Sequence, residues 1–198
     1  MVAKPFGLKR KAGMFYVYLI GGIIIGLGVL VALFAFIMHT IGSGMDPNHV
    51  FVCRMRLNQR AEKVFALLAD AEGWKSWDPG VTRVETLPPV DGKPACRMTI
   101  GRNAMNLVTT RHEPPRVLER TIQDTGARPM FSGSWLHEIA SDGDGCVITL
   151  TERGVIHVPL ARAMARKLAD PAMYLKRHFK QLAKHFGEEA VISEDVKK

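Results

Sequence analysis

From Met14 to Met38 the chain carries no charge: MFYVYLIGGIIIGLGVLVALFAFIM. These 25 residues make about 37 Å of helix at about 1.5 Å each. A bilayer hydrocarbon core is about 30 Å thick, so the run can cross it with some tilt. A cleaved signal peptide has an apolar region of only about 7–15 residues, and a buried core helix would be shorter or show a polar face. A membrane-spanning helix is therefore predicted over 14–38, with Tyr16 and Tyr18 at one interface. Residues 1–13 form a basic segment ahead of it. Residues 39–48 hold Gly, Ser, Asp and Pro and read as a linker. Gly22 and Gly26 make a small-xxx-small pair, a candidate helix-dimer face.

The pattern then changes period. Over residues 49–58, HVFVCRMRLN alternates, with Phe51, Cys53, Met55 and Leu57 on one face and Arg54 and Arg56 on the other. That is a half-buried strand. Asn58 is placed to cap a helix whose apolar positions are Ala61, Val64, Phe65, Leu67 and Leu68. A second short helix is expected around 72–77, before the Pro79-Gly80 turn. Strands follow at 81–87, 95–103, 106–113, 116–123, 131–140 and 146–156. Their turns are Asp91-Gly92, Pro114-Pro115 and Asp142-Gly143-Asp144-Gly145, the spacing of hairpins in one antiparallel sheet.

Pro159 suits a first helical turn and Gly187 a C-terminal cap. Between them Leu160, Met164, Leu168, Leu175, Phe179 and Leu182 recur at helical spacing. This predicts one long amphipathic helix of about seven turns, kinked at Asp170-Pro171. Residues 188–198 read as a polar, fraying tail. The order is α+β: a curved antiparallel sheet wrapped around a long C-terminal helix, with one N-terminal transmembrane helix. Such a sheet and helix can enclose a cavity.

Charge adds topology. Of a net +8, residues 1–44 hold four bases and no acids, and residues 45–198 hold 23 bases and 19 acids. Lys4, Lys9, Arg10 and Lys11 precede the apolar run; Asp46, Arg54 and Arg56 follow it. The positive side prefers the cytoplasm. The N-terminus is therefore expected inside and residues 39–198 outside, in the periplasm if the cell is bacterial. The late helix is basic (Arg162, Arg166, Lys167, Lys180, Lys184), which suits a solvated face or anionic lipid head groups. Nucleic acid is not expected as a partner, because no stacking or groove-reading motif accompanies the charge.

Catalytic signatures are missing from the sequence: no G-x-S-x-G, H-E-x-x-H, C-x-x-C or P-loop. Asp142 begins a run resembling a calcium loop, but Cys146 and Arg153 stand where oxygen ligands are needed, so it reads as a hairpin. Cys53, Cys96 and Cys146 read as small core residues, with one bridged pair as the alternative outside the cytoplasm. The seven histidines lack metal spacing; His178 and His185 share a helix face but are too few, and surface positions are their default. No metal and no cofactor is expected.

Alternation supplies the site candidates. Trp135, His137 and Ile139 share one strand face; Cys96, Met98, Ile100 and Arg102 share another; His112 follows Val108 and Thr110. A polar group in an apolar cavity needs a partner, since leaving it unpaired costs about 1–3 kcal/mol. Arg102 and His137 are therefore candidate ligand contacts, or members of an internal ion pair with Glu119 or Glu152. Met98, Ile100, Trp135, Met164, Leu168 and Met173 are the expected apolar lining. His137, His112 and Arg102 are the catalytic candidates.

The segments VFALLADAEGWKSWDPGV, SGSWLHEI and DGDGCVITLTERG, in this order before a helix that starts near a proline, resemble the START / polyketide cyclase / birch-pollen-allergen-like (SRPBCC) superfamily over about residues 49–187. Asp70, Trp77 and Pro79 match its helix-end pattern; Gly133, Trp135, Gly145, Glu152 and Gly154 match its hairpin and flanks. The resemblance implies a helix-grip fold with a hydrophobic cavity, in a family whose members bind lipids, sterols or polyketides and sometimes catalyse. A membrane helix is not part of the usual domain.

Three functions follow. The first is a membrane-anchored domain that binds a lipid, sterol, isoprenoid or polyketide-like ligand. The second is a cyclase or dehydratase with His137 or His112 as acid/base and Arg102 stabilising an enolate. The third is a membrane-tethered interaction domain without a ligand. With no convincing catalytic motif, binding is preferred to catalysis.

Overall fold

The computed structural model describes residues 6–125, 129–168, 170 and 172–197. Helix α1 (Phe6–Ser43) opens the chain. Its apolar part, Phe15–Ser43, is 29 residues long and leaves most of its side chains exposed; length and composition suffice to cross a membrane. The helix continues past Met38 because its polar end satisfies itself. Thr40 Oγ1 donates to the Phe36 carbonyl at 3.0 Å and Ser43 Oγ to the His39 carbonyl at 2.9 Å. The expected linker thus shrinks to residues 44–47.

Strand β1 (Asn48–Leu57) buries His49, Phe51, Cys53, Met55 and Leu57 in strict alternation. Helix α2 (Ala61–Ala69) and the single turn α3 (Trp74–Trp77) follow. Asn58 does not cap α2: Arg60 holds the cap position, without a side-chain bond. Asn58 is engaged elsewhere, its amide donating to Glu188 at 2.8 Å and its side chain accepting from Arg56. The far end of α2 is closed from outside. The buried Arg120 guanidinium donates to the carbonyls of Leu68 (3.0 Å) and Ala69 (2.9 Å), and Trp74 Nε1 also donates to Leu68 (2.9 Å). Helix-end carbonyls need such donors.

Six antiparallel strands come next: β2 (Val81–Val90), β3 (Lys93–Ile100), β4 (Asn103–Glu113), β5 (Val117–Asp124), β6 (Phe131–Asp142) and β7 (Gly145–Ile156). Each falls within a few residues of its expected place, because period-2 alternation and turn residues are local signals. At the β6–β7 pairing Gly133 faces Gly154. A Cβ on Gly154 would lie 2.5 Å from the rings of His49 and Phe131, so the aromatic packing requires glycine there.

The chain then forms α4 (Pro159–Lys167) and α5 (Met173–His185). The long C-terminal helix is broken rather than kinked. Asp170 stabilises the break: its carboxylate accepts from the Ala172 amide at 3.0 Å and from Lys176 Nζ at 2.6 Å. Pro171 lies outside the described residues. Helix α5 fills the concave side of the sheet with Leu175, His178, Phe179, Leu182 and Ala183.

The tail does not fray. Residues Ile192–Lys197 form strand β8, which pairs antiparallel with β1. The sheet order is β2-β3-β4-β5-β6-β7-β1-β8. Without β8, the edge of β1 would present unpaired backbone groups. Glu194 also meets Lys176 Nζ at 2.6 Å, joining the strand to α5.

Helix α4 packs against the end of α1. Gly42 of α1 meets Pro159, the first residue of α4, so closely that a Cβ would fall 1.8 Å from the Pro159 carbonyl oxygen. Met38 and Gly42 are buried and Ala35 is half-buried. This stripe lies N-terminal to the Gly42 contact, so α4 runs from Pro159 back along α1.

Candidate functional site

The interior under α5 contains an unusual concentration of polar groups. The sheet contributes His137 from β6, with 2% of its surface exposed; α5 contributes His178, with 1%; the end of α3 contributes Asp78, with none. The Nε2 atoms of His137 and His178 lie 3.4 Å apart. His178 Nδ1 lies 3.8 Å from Asp78 Oδ2, within ion-pair range but beyond a hydrogen bond. Asp78 Oδ1 accepts from the Gly80 amide at 2.9 Å. Across the sheet His137 stands opposite Leu118, its register partner on β5.

Burial holds His137 well below the usual histidine range, with the neighbouring His178 and Arg120 adding to the effect. Burial likewise lowers His178, against the opposing pull of Asp78. For Asp78, burial pushes the carboxyl up, but His178 and the Gly80 amide together outweigh it and leave it below its ordinary value. Two neutral imidazoles thus stand beside one carboxylate. Between the two Nε2 atoms one ring must donate and the other accept, and which does so depends on the tautomer.

Around this chain, buried polar atoms lack hydrogen-bond partners among the described residues. They are Trp77 Nε1, Tyr174 Oη, Arg177 Nε and Nη2, Asp78 Oδ2 and His178 Nδ1. They are contiguous: Arg177 lies over the Tyr174 ring at 5.3 Å, and Trp77 and His178 are 5.2 Å apart by ring centroids. Tyr174 stacks on Trp135 at 4.9 Å. Burial, reinforced by the Asp78 charge, pushes the Tyr174 phenol up, so it is a neutral donor. Most of the unmatched atoms are donors, so they favour an oxygen-bearing group. A groove of about 300 Å³ between α3 and α5, lined by Ser76, Trp77, Pro79, Gln181, Lys184 and His185, borders Trp77.

A second polar chain lies deeper. Trp135 Nε1 donates to Glu152 Oε2 at 2.7 Å, and Glu152 Oε1 meets His49 Nε2 at 3.1 Å. Glu152 is therefore committed to Trp135 and His49. Among the described residues, no group of three or more His, Cys, Asp or Glu side chains converges as a metal site.

The structure separates the residues expected to line one site. Met98, Trp135 and His137 are buried on the inner face, and Ile100 is half-buried. Arg102 is not on the inner face: β3 ends at Ile100, and Arg102 sits exposed in the turn. His112 is exposed on β4, edge-on to Phe65 at 5.2 Å. Met164 (43%), Leu168 (62%) and Met173 (61%) are exposed rather than lining the interior, because the helix breaks and α4 turns to α1. His178 is buried, not a surface histidine, whereas His185 is exposed. All three cysteines are free and buried. Sequence reasoning missed Asp78, Tyr174, Arg177 and His178 as a group. The signal for His178 was present: it lies one residue before Phe179 and three after Leu175, on the apolar side of the helix.

Comparison places the fold. The profile of the family described as "Polyketide cyclase / dehydrase and lipid transport" matches residues 52–187, more than half of the chain. The chain belongs to this family. Solved structures similar to this family member include the Zhui aromatase/cyclase of a Streptomyces species (TM-score 0.57, 16% identity, 68% of this chain and 91% of that one). A START superfamily protein of Mycobacterium smegmatis is similar too (TM-score 0.58, 16% identity, 69% and 96%). So is a conserved protein of Geobacillus kaustophilus (TM-score 0.57, 15% identity, 72% and 98%). At these identities the likeness is one of fold. No curated protein matches the sequence. The family match begins at residue 52, after α1, so the helix is an addition to the family domain.

Proposed function

We propose that this protein is a membrane-anchored binding module for a hydrophobic small molecule of lipid, isoprenoid or polyketide type. Its oxygen-bearing head group is held under α5. The observation that carries the reading is the cluster of unmatched buried donors, Trp77 Nε1, Tyr174 Oη and Arg177 Nε and Nη2, beside Asp78 and His178. Buried groups left unpaired cost about 1–3 kcal/mol each, and a carbonyl or carboxylate would satisfy several at once. Trp135, Met98 and Ile100 supply apolar contact beside it. The apolar α1 is the anchor, its basic flank on the cytoplasmic side and the domain outside. Gly22 and Gly26, with open space around both, would pair two anchors.

Catalysis of the cyclase or dehydratase type is the second reading, favoured by the His137–His178–Asp78 chain. A neutral imidazole beside a carboxylate suits acid/base work. His137 is the carried-over candidate; His112 and Arg102 lie outside this chain.

Mass spectrometry of the organic extract tests the binding reading. Full-length protein should yield a defined ligand near one per chain, while Arg177→Leu and Tyr174→Phe should lose most of it. Equal recovery from all three would identify the extract as bilayer lipid carried by α1 and overturn the reading.

A further inference from the structure

We propose that the outer face of α4, built on Met164 and Leu168, is inserted in the boundary layer of the same bilayer that α1 crosses. The inference rests on the anchor reading and adds that the domain is held against the membrane in one orientation.

The first observation is the rigid joint between α1 and α4. Arg162, buried in α4, donates from Nη1 to the Gly42 carbonyl (2.8 Å) and the Met45 carbonyl (2.9 Å). Its Nε and Nη2 donate to the Ile156 carbonyl at 3.1 and 2.9 Å. One guanidinium thus closes the end of α1, the following turn and the end of β7 together. Arg166 Nη2 adds a bond to the Asn48 carbonyl at 2.7 Å. The domain is not on a slack tether.

The second observation is depth. From Gly42 back to Ala35 is about 10 Å along α1, and α4 follows that stripe. The apolar run of α1 starts at Phe15. A hydrocarbon layer of about 30 Å takes up about 20 residues of helix, so with Tyr16 and Tyr18 at the near interface the far boundary falls near Met38. The second half of α4 therefore lies at that boundary.

The third observation is what α4 shows there. Met164 and Leu168, one turn apart on the same side, are 43% and 62% exposed. Beside the buried Met38 and Gly42, Ile37 and Ile41 are also exposed. Lys167, exposed between the apolar residues, can reach the head groups as lysines do at interfaces. An apolar helix face beside a spanning helix, at its exit depth, fits the lipid boundary and needs no second protein.

The test uses the full chain in vesicles of phosphatidylcholine and phosphatidylglycerol. A nitrobenzoxadiazole label is placed in turn at Met164→Cys, Leu168→Cys, Leu27→Cys within α1, and Asp144→Cys. Asp144 is in the β6–β7 turn, beyond the far end of β1, about 30 Å of strand from α1. Lipids carrying a nitroxide near the head group should remove most emission at 164 and 168 and little at 144. Lipids with the nitroxide deep in the acyl chain should quench 27. Quenching at 27 with 164 and 168 no more quenched than 144 would overturn the insertion of α4 and leave the anchor standing. An unquenched label at 27 would remove the anchor itself, and the inference with it.

Discussion

His137 on β6 and His178 on α5 face each other through their Nε2 atoms at 3.4 Å, with Asp78 behind His178. The contact joins the centre of the sheet to the helix that fills it, and both rings are fully buried. Both histidines have lowered pKa values in the folded protein, chiefly through burial, and Arg120 and Arg177 add positive charge on the same side.

This fixes the sign of a pH effect. An unfolded histidine titrates near about 6.5. Below that, the unfolded chain binds protons that the folded chain refuses, so stability is full above about pH 6.5 and falls as the pH drops towards the folded values. Asp78, also lowered, adds a loss at more acid pH, below about 3.9. Thermal unfolding of the full chain in micelles, followed from pH 8 to pH 5, should show a steadily falling midpoint. In His137→Gln the fall should be smaller; an unchanged slope would show that the buried rings are not its source.

Arg120 closes α2 from the sheet, and its burial pulls the guanidinium down to about 10. Replacing it by Met should remove two charge-assisted bonds and leave the Ala69 carbonyl unpaired, at about 2–3 kcal/mol. Arg120→Lys should recover only part of this, because one ammonium cannot reproduce the fork that spans two carbonyls. Chemical denaturation measures both; a full rescue by Lys would contradict the forked geometry.

Gly154→Ala puts a methyl group 2.5 Å from the rings of His49 and Phe131. Overpacking of this kind costs about 1–3 kcal/mol. The displaced His49 should loosen its 3.1 Å contact with Glu152 and, through it, Trp135. A lower unfolding midpoint together with a shifted tryptophan emission is expected; a silent substitution would mean that the aromatic packing at this pairing is looser than described.

The cysteines offer a direct probe of burial. Burial pushes Cys53 and Cys146 up to about 11, and thiolates, not thiols, react. A thiol reagent at pH 8 should label the native protein slowly and all three cysteines rapidly after unfolding in denaturant. Fast labelling of Cys53 or Cys146 in the native state would contradict their placement.

Much of the fold is legible in the sequence. The β1 residues Phe51, Cys53, Met55 and Leu57 announced their inner face by alternation. Asp142 to Gly145 announced a hairpin by composition, and Met14 to Met38 a long apolar helix by length. The candidate site was legible only in part. Trp135 and His137 were read correctly as inward-facing, since strand parity settles that. Arg102 was misread, because the same parity was extended past Ile100 into a turn. Met164 and Leu168 were misread because one apolar stripe was assumed to serve one helix facing one core.

Period, length and turn chemistry depend only on neighbours in the chain, and they were enough for the element order from α1 to β7, the antiparallel sheet and the apolar N-terminal helix. The meeting of Asp78, His137, Tyr174, Arg177 and His178 depends on how a helix near the end of the chain crosses a sheet, and contacts that distant in sequence leave no local period. The same holds for β8: residues 192–197 are polar enough to read as a tail, and only the open edge of β1 makes them a strand. Arg162 looked like one more base on a solvated face. Packing turned it into the joint between α1 and the domain, since a buried guanidinium must find carbonyls and those of Gly42, Met45 and Ile156 are within its reach.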